Sequence, residues 1–99
     1  MAKIKTIDES GNYKQDIIKR LNRIEGQVKG IQRMIDDEKY CVDILTQIAA
    51  ARAAISRVGG LVLENYTKTC MKKAIESGNR DQVMDELMST IQKFLKFVD

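Results

Sequence analysis

The sequence predicts an all-α fold, and three observations carry that expectation. Proline and tryptophan are absent, while Ile, Leu, Lys, Arg, Gln, Glu and Ala are plentiful. Apolar residues recur at alternating gaps of four and three over two long stretches, the spacing of helices that pack along one another. Short polar or glycine-bearing breaks punctuate those stretches, and no alternating apolar/polar run suggests a strand. The expected protomer is an antiparallel helical hairpin followed by a short third helix.

Residues 1–11 lack periodicity and read as a flexible N-terminal arm ahead of a single all-α domain over residues 12–99. The first helix is marked by Ile17, Leu21, Ile24, Val28, Ile31 and Ile35, with Ser10 or Asn12 as N-cap. Gly26 and Gly30 lie inside this pattern, where each costs about 1 kcal/mol relative to alanine. Their spacing suggests a close backbone contact. The acidic run Asp36-Asp37-Glu38 ends that helix. The second carries Ile44, Ile48, Ala51, Ile55, Val58 and Val62 and is expected from about Tyr40 to Glu76. Gly59-Gly60 is its natural bending point, yet the apolar register continues through it. Ser77-Gly78 supplies a stop, and Asn79 with Gln82 resembles a capping box. Val83, Leu87, Ile91, Phe94 and Val98 then line one face of the third helix. One such hairpin has more apolar seam than it covers, so two copies are expected to pair into a four-helix bundle, with a dimer of dimers as the larger assembly.

Composition excludes several function classes. With 43% hydrophobic and 31% charged residues the chain has the balance of a folded protein. It lacks a run of about 18 apolar residues and a charged-then-apolar leader, so the expectation is a cytoplasmic protein with no membrane partner. There is no histidine, which removes the commonest general base and transition-metal ligand. No P-loop, dinucleotide fingerprint or nucleophile elbow occurs, so an enzyme is not expected and no cofactor is implied. The net charge of +3 is mild but uneven. Cations cluster between Lys14 and Arg33 and again between Arg52 and Arg80, whereas acids collect at residues 36–38 and around Asp81, Asp85 and Glu86. An ordinary solvated surface accounts for this pattern about as well as a face that binds a polyanion.

Cys41 and Cys70 carry the distinctive chemistry. Paired cysteines in an intracellular chain are most often buried filler. These two lie far apart: on one continuous helix their separation is about 43 Å at about 1.5 Å per residue. A disulfide requires Cα atoms within about 7 Å, so they are not expected to bond within one protomer unless the helix folds back. Packing two copies of the helix antiparallel brings Cys41 of one beside Cys70 of the other. Such a two-thiol site suits either Cu(I), which soft thiolates select, or reversible redox chemistry between an attacking and a resolving cysteine. Cys41, at a helix start, is the candidate nucleophile, with Glu38 and Asp43 opposing that role electrostatically.

The run Arg20-Leu21-Asn22-Arg23-Ile24-Glu25-Gly26-Gln27-Val28-Lys29-Gly30-Ile31, then Cys41, the stretch Gln47–Ile55 and Cys70, resembles the copper-sensing and nickel/cobalt-sensing repressor family (CsoR/RcnR). The resemblance covers roughly residues 15–96. It implies an all-α dimer or tetramer that binds operator double-stranded DNA without a helix-turn-helix and releases it when an inducer reaches the cysteines. One departure matters. Copper-sensing members place a histidine four residues before the second cysteine, and here that position is Tyr66. Two cysteines without the histidine look like the persulfide-sensing branch, the CsoR-like sulfurtransferase repressors (CstR). That likeness implies sulfane-sulfur donors such as persulfides as inducers and a sulfur bridge between Cys41 and Cys70 of neighbouring protomers. Tyr40 and Glu86 match positions around the metal in copper-sensing relatives, so Tyr40, Tyr66 and Glu86 are expected near the sensor site. Cu(I) held by Cys41 and Cys70 alone is the alternative inducer.

For DNA, Arg20, Arg23 and Gln27 fall on one stripe of the first helix, broadened by Lys19 and Lys29. The resemblance assigns operator contact to Arg20 and Arg57, with Arg23 and Arg52 ranked lower. Two other classes compete with a repressor. A thiol sulfur carrier would turn over its substrate rather than react once, and a structural helical adaptor would survive replacement of both cysteines.

Overall fold

A computed structural model of the chain describes residues 11–98, with side chains through residue 96. Three helices account for nearly all of it: α1 (Gly11–Asp36), α2 (Cys41–Ser77) and α3 (Arg80–Val98). The fold is all-α, as the periodicity requires, with no strand among the described residues. The expected arm lies outside the described residues except for Gly11, which opens α1. Among the described residues no helix is long and apolar enough to cross a membrane.

α1 ends in a Schellman motif. The Lys39 N–H donates to the Met34 carbonyl at 2.9 Å and the Glu38 N–H to the Ile35 carbonyl at 3.1 Å. This reversal requires a left-handed residue, and Glu38 supplies it with φ 54°. α2 then starts at Cys41, with the Tyr40 carbonyl accepting the Ile44 N–H. The helix continues to Ser77, unbroken at Gly59-Gly60. Alanine at 49–51, 53 and 54 gives its first half high helix propensity. In its second half the Thr67 and Thr69 hydroxyls donate to the carbonyls one turn back, at 2.8 and 3.0 Å. Gly78, with φ 73°, closes α2, and the Asn79 carbonyl accepts the Val83 N–H to start α3.

The chain divides into two units, Gly11–Gly59 and a second that runs from Gly60 through α3. In the first, the four-residue connection 37–40 returns the chain so that α1 and the first half of α2 form a helical hairpin. Each predicted apolar seam is split. Ile17 and Val58 are buried, and Ile24, Ile31, Ile44 and Ala51 are half-buried. Leu21, Val28 and Ile35 on α1, and Ile48 and Ile55 on α2, are exposed instead, Ile35 by 58%. The physical reason is geometric: each helix has a single neighbour in this unit and turns only one row of its seam toward it, Ile17, Ile24 and Ile31 on α1 and Ile44, Ala51 and Val58 on α2, leaving the alternate row uncovered. The close backbone contact expected at Gly26 and Gly30 is not made within the chain, since a Cβ at either would meet nothing within 4 Å. Gln27 turns inward, its Oε1 buried without a partner, so it does not share the exposed stripe of Arg23.

The second unit has a tighter core. Tyr66 and Cys70 of α2 and Val83 and Leu87 of α3 are buried together, with Leu63, Ala74 and Ile91 packed around them. The face expected for α3 is the one that packs; Phe94 is half-buried on it, and the side chain of Val98 lies outside the described residues.

Candidate functional site

Both cysteines are free, but their surroundings differ. Cys41 is exposed at the start of α2, in the first unit, with Asp43 in the same turn. Tyr40 immediately precedes it and is 77% exposed. Cys70 belongs to the second unit and is fully shielded from solvent. The structure therefore gathers Tyr66, Glu86 and Cys70 in one unit and leaves Cys41 and Tyr40 in the other.

Cys70 is packed in an apolar cluster with two hydroxyls at its edge. Burial pushes the Cys70 thiol up from its ordinary range; a hydrogen bond with the Tyr66 hydroxyl pulls it down, and the Glu86 carboxylate pushes it up again. Tyr66 lies one helical turn before Cys70, on the same face. Its hydroxyl is 3.4 Å from Thr90 Oγ1. Thr90 in turn donates to the Glu86 carbonyl at 2.9 Å. Burial also raises the Tyr66 phenol, so it stays neutral around pH 7. Thr90 had no sequence signal. It sits 24 positions from Tyr66, and only the packing of α3 on α2 brings the two hydroxyls together.

The cationic residues singled out for DNA all fall in the first unit. Lys19, Arg23, Lys29, Arg52 and Arg57 are exposed, and Arg20 is half-buried. Arg20 Nε pairs with Asp16 at 3.1 Å and Lys29 with Glu25 at 3.6 Å, both one turn apart on α1. Pairs of this kind at the surface contribute roughly 0–1 kcal/mol. Sequence reasoning missed Asp16 as Arg20's partner, although the i,i+4 spacing carried the signal.

Comparison with known proteins decides the family. The sequence pattern of the family described as "metal-sensitive transcriptional repressor" matches residues 13–93. This chain belongs to that family. The repressor is 46% identical over 88 residues to the copper-sensing transcriptional repressor CsoR of Bacillus subtilis (strain 168), covering 89% of this chain and 87% of that one. It is 45% identical over 65 residues to the copper-sensing repressor RicR of Mycobacterium tuberculosis, covering 66% and 68% of the two chains. Its fold matches the Cu(I)-bound crystal structure of the repressor CsoR from Geobacillus thermodenitrificans with a TM-score of 0.80 at 45% identity, over 90% of this chain and 93% of that one. The nickel-responsive transcriptional regulator InrS matches with a TM-score of 0.75 at 35% identity, over 81% and 90%.

Membership in a metal-sensitive family implies a metal, so the donor set has to be tested against one. This repressor has no histidine. Among its described residues no group of three or more His, Cys, Asp or Glu side chains is placed to hold an ion. At the position where the resemblance puts the histidine ligand stands a neutral phenol, already hydrogen-bonded. The residues do not fit a three-donor site of two sulfurs and a nitrogen; two thiols are what the chain offers.

Proposed function

We propose that this repressor is a cytoplasmic, operator-binding protein whose inducer is reactive sulfur acting at Cys41 and Cys70 of neighbouring protomers. The observation that carries the reading is the replacement of the expected nitrogen donor by Tyr66, a buried neutral phenol tied to Thr90. The contrast between an exposed Cys41 and a shielded Cys70 supports a division of labour. Cys41 meets the donor first: its thiolate attacks the sulfane sulfur of a persulfide, the donor leaves as its thiol, and Cys41 carries the extra sulfur. The Cys70 sulfur of the partner protomer then attacks Cys41 Sγ. The bond to the outer sulfur breaks, hydrogen sulfide departs with the Cys70 proton, and an interprotomer disulfide remains. Longer sulfur bridges follow when the donor delivers more than one sulfur atom. The uncovered apolar positions Leu21, Val28, Ile35, Ile48 and Ile55 support the pairing of two copies that this chemistry requires. The same unit carries Arg23, Arg52 and Arg57 for phosphate contact, with Arg20 available once Asp16 is displaced.

A second reading has its own support. Three of the four relatives cited above are named for copper, and on that comparison alone Cu(I) is the better-supported inducer. It would bind here through the two thiols without a nitrogen donor. We place the site above the overall likeness because an inducer is selected by the groups it touches, and relatives on one fold differ in those groups. Fluorescence anisotropy separates the two. The reduced protein is bound anaerobically to DNA from upstream of its own operon, then challenged with polysulfide or with Cu(I). Release by polysulfide alone, abolished in Cys41→Ala and Cys70→Ala, is the expected result. Release by stoichiometric Cu(I) and not by polysulfide establishes the second reading instead.

A further inference from the structure

Cys70 sits where a thiol should be unreactive: it is fully shielded, packed among Tyr66, Val83 and Leu87, and faces the unfavourable charge of Glu86. Yet two hydroxyls lead to it. Thr90 has one proton, and it is committed to the Glu86 carbonyl at 2.9 Å. Thr90 Oγ1 is therefore an acceptor toward Tyr66, 3.4 Å away, and the Tyr66 proton points to Thr90. Tyr66 and Cys70 lie one helical turn apart in the same buried cluster, so in that arrangement the Tyr66 oxygen has a lone pair to offer the Cys70 S–H. Every hydroxyl in the chain can also turn over. Thr90 then donates to Tyr66, Tyr66 donates to the Cys70 sulfur, and the Glu86 carbonyl keeps its helical N–H partner, because a carbonyl oxygen has two lone pairs.

We propose that Tyr66 and Thr90 form a reversible hydroxyl chain that donates to the Cys70 sulfur as negative charge develops on it, making both of them positioning residues for the reaction of Cys70. The proposal deepens the reading of Cys70 as a reacting thiol. A hydrogen bond to a charged sulfur is stronger than one to the neutral thiol, so the chain favours the attacking form over the resting form. It replaces, where Cys70 is shielded, the solvation that water gives an exposed thiolate. In the bridging step described above, Cys70 Sγ bonds to Cys41 Sγ and hydrogen sulfide leaves. The hydroxyls gain and lose no protons overall; they only change which neighbour they face.

The test does not need sulfur donors, operator DNA or Cys41. In a full-length Cys41→Ser background Cys70 is the sole thiol, and its alkylation by iodoacetamide is followed by intact mass at one fixed pH. Thr90→Val removes the hydroxyl while keeping the branched shape, and Tyr66→Phe removes the other. Tyr66→Phe is expected to slow Cys70 alkylation about tenfold, as loss of one hydrogen bond to a charged group predicts, and Thr90→Val roughly threefold, as loss of the neutral bond that orients Tyr66 predicts. Thr90→Ser is expected to restore the rate. A purely structural role gives the opposite sign, since a loosened pocket exposes Cys70 and speeds alkylation. Faster or unchanged alkylation in Thr90→Val overturns the proposal, as does a Thr90→Ser protein as slow as Thr90→Val. Should Tyr66→Phe lose its helical circular dichroism, the Thr90 pair decides alone. If the hydroxyl variants slow alkylation while polysulfide fails to release DNA, the hydroxyl chain stands and the sulfur-sensing reading falls.

Discussion

Replacing Glu38 with glycine is expected to stabilise this protein, although it deletes a charged side chain from the link between two helices. Glu38 occupies the C′ position of the Schellman motif that ends α1, with φ 54°. Its own N–H and that of Lys39 hold the Ile35 and Met34 carbonyls, so the conformation is fixed by the reversal and not by the side chain. An L-residue in the left-handed region bears a penalty of roughly 1–2 kcal/mol from its Cβ. Glycine lacks the Cβ but loses about 0.5–1 kcal/mol more backbone entropy on folding. Charge contributes little, because a carboxylate here lies at the unfavourable end of α1 and the favourable end of α2. The net expectation is a gain of about 0.5–1 kcal/mol, and a melting temperature higher by about 2–8 °C for a domain of this size. Thermal unfolding followed by circular dichroism, under reducing conditions and at one protein concentration, measures it. Glu38→Ala is the control: it removes the charge and keeps the Cβ. Equal stabilisation by Glu38→Ala and Glu38→Gly would falsify the strain argument and put the effect on charge. Destabilisation by Glu38→Gly would refute it altogether.

Other expectations follow from the same geometry. Gly30→Ala should raise stability by about 1 kcal/mol through helix propensity if its face stays open, and lower it if a second copy packs its backbone there; dilution-dependent melting distinguishes the two. Leu87→Ala, in the core around Cys70, should cost about 2–5 kcal/mol and speed alkylation of Cys70, read by chemical denaturation and intact mass. The Cys70 thiol and Tyr66 phenol both stand above their ordinary ranges in the fold. The neutral forms are thus favoured by folding, so this stabilisation is complete below the ordinary thiol range and declines as pH rises through the folded values. Denaturation midpoints taken across alkaline pH should fall, and less steeply in Cys70→Ala. Arg57→Ala should weaken DNA binding across sequences and reduce the salt slope by about one; an effect confined to one operator sequence would instead indicate contact with a base edge.

Much of the architecture was legible because helix formation is local. Spacing of apolar residues, the absence of proline and the stops at Glu38 and Gly78 are read within a turn or two of chain, and they placed all three helices within a few residues. The α3 face was correct for the same reason: Val83, Leu87 and Ile91 have one neighbour to face. Which half of a broad apolar seam is covered is not local. Ile24 and Val28 look alike in sequence, yet one is half-buried in the hairpin and the other is exposed. Gln27 reads as part of a polar stripe in sequence, yet its Oε1 is buried in the fold.

The candidate site divides along the same line. The sequence by itself determined its chemical inventory: two thiols, no imidazole, and a tyrosine at the register where the resemblance expects a ligand. Composition is sufficient for that, because a donor that is absent from the chain is absent from every fold of it. Tertiary structure alone decided that Cys70 is shielded while Cys41 is open, and that Thr90 of α3 meets Tyr66 of α2. Burial and hydrogen bonding depend on which helix faces pack, and side chains 24 positions apart become neighbours only when a second helix docks.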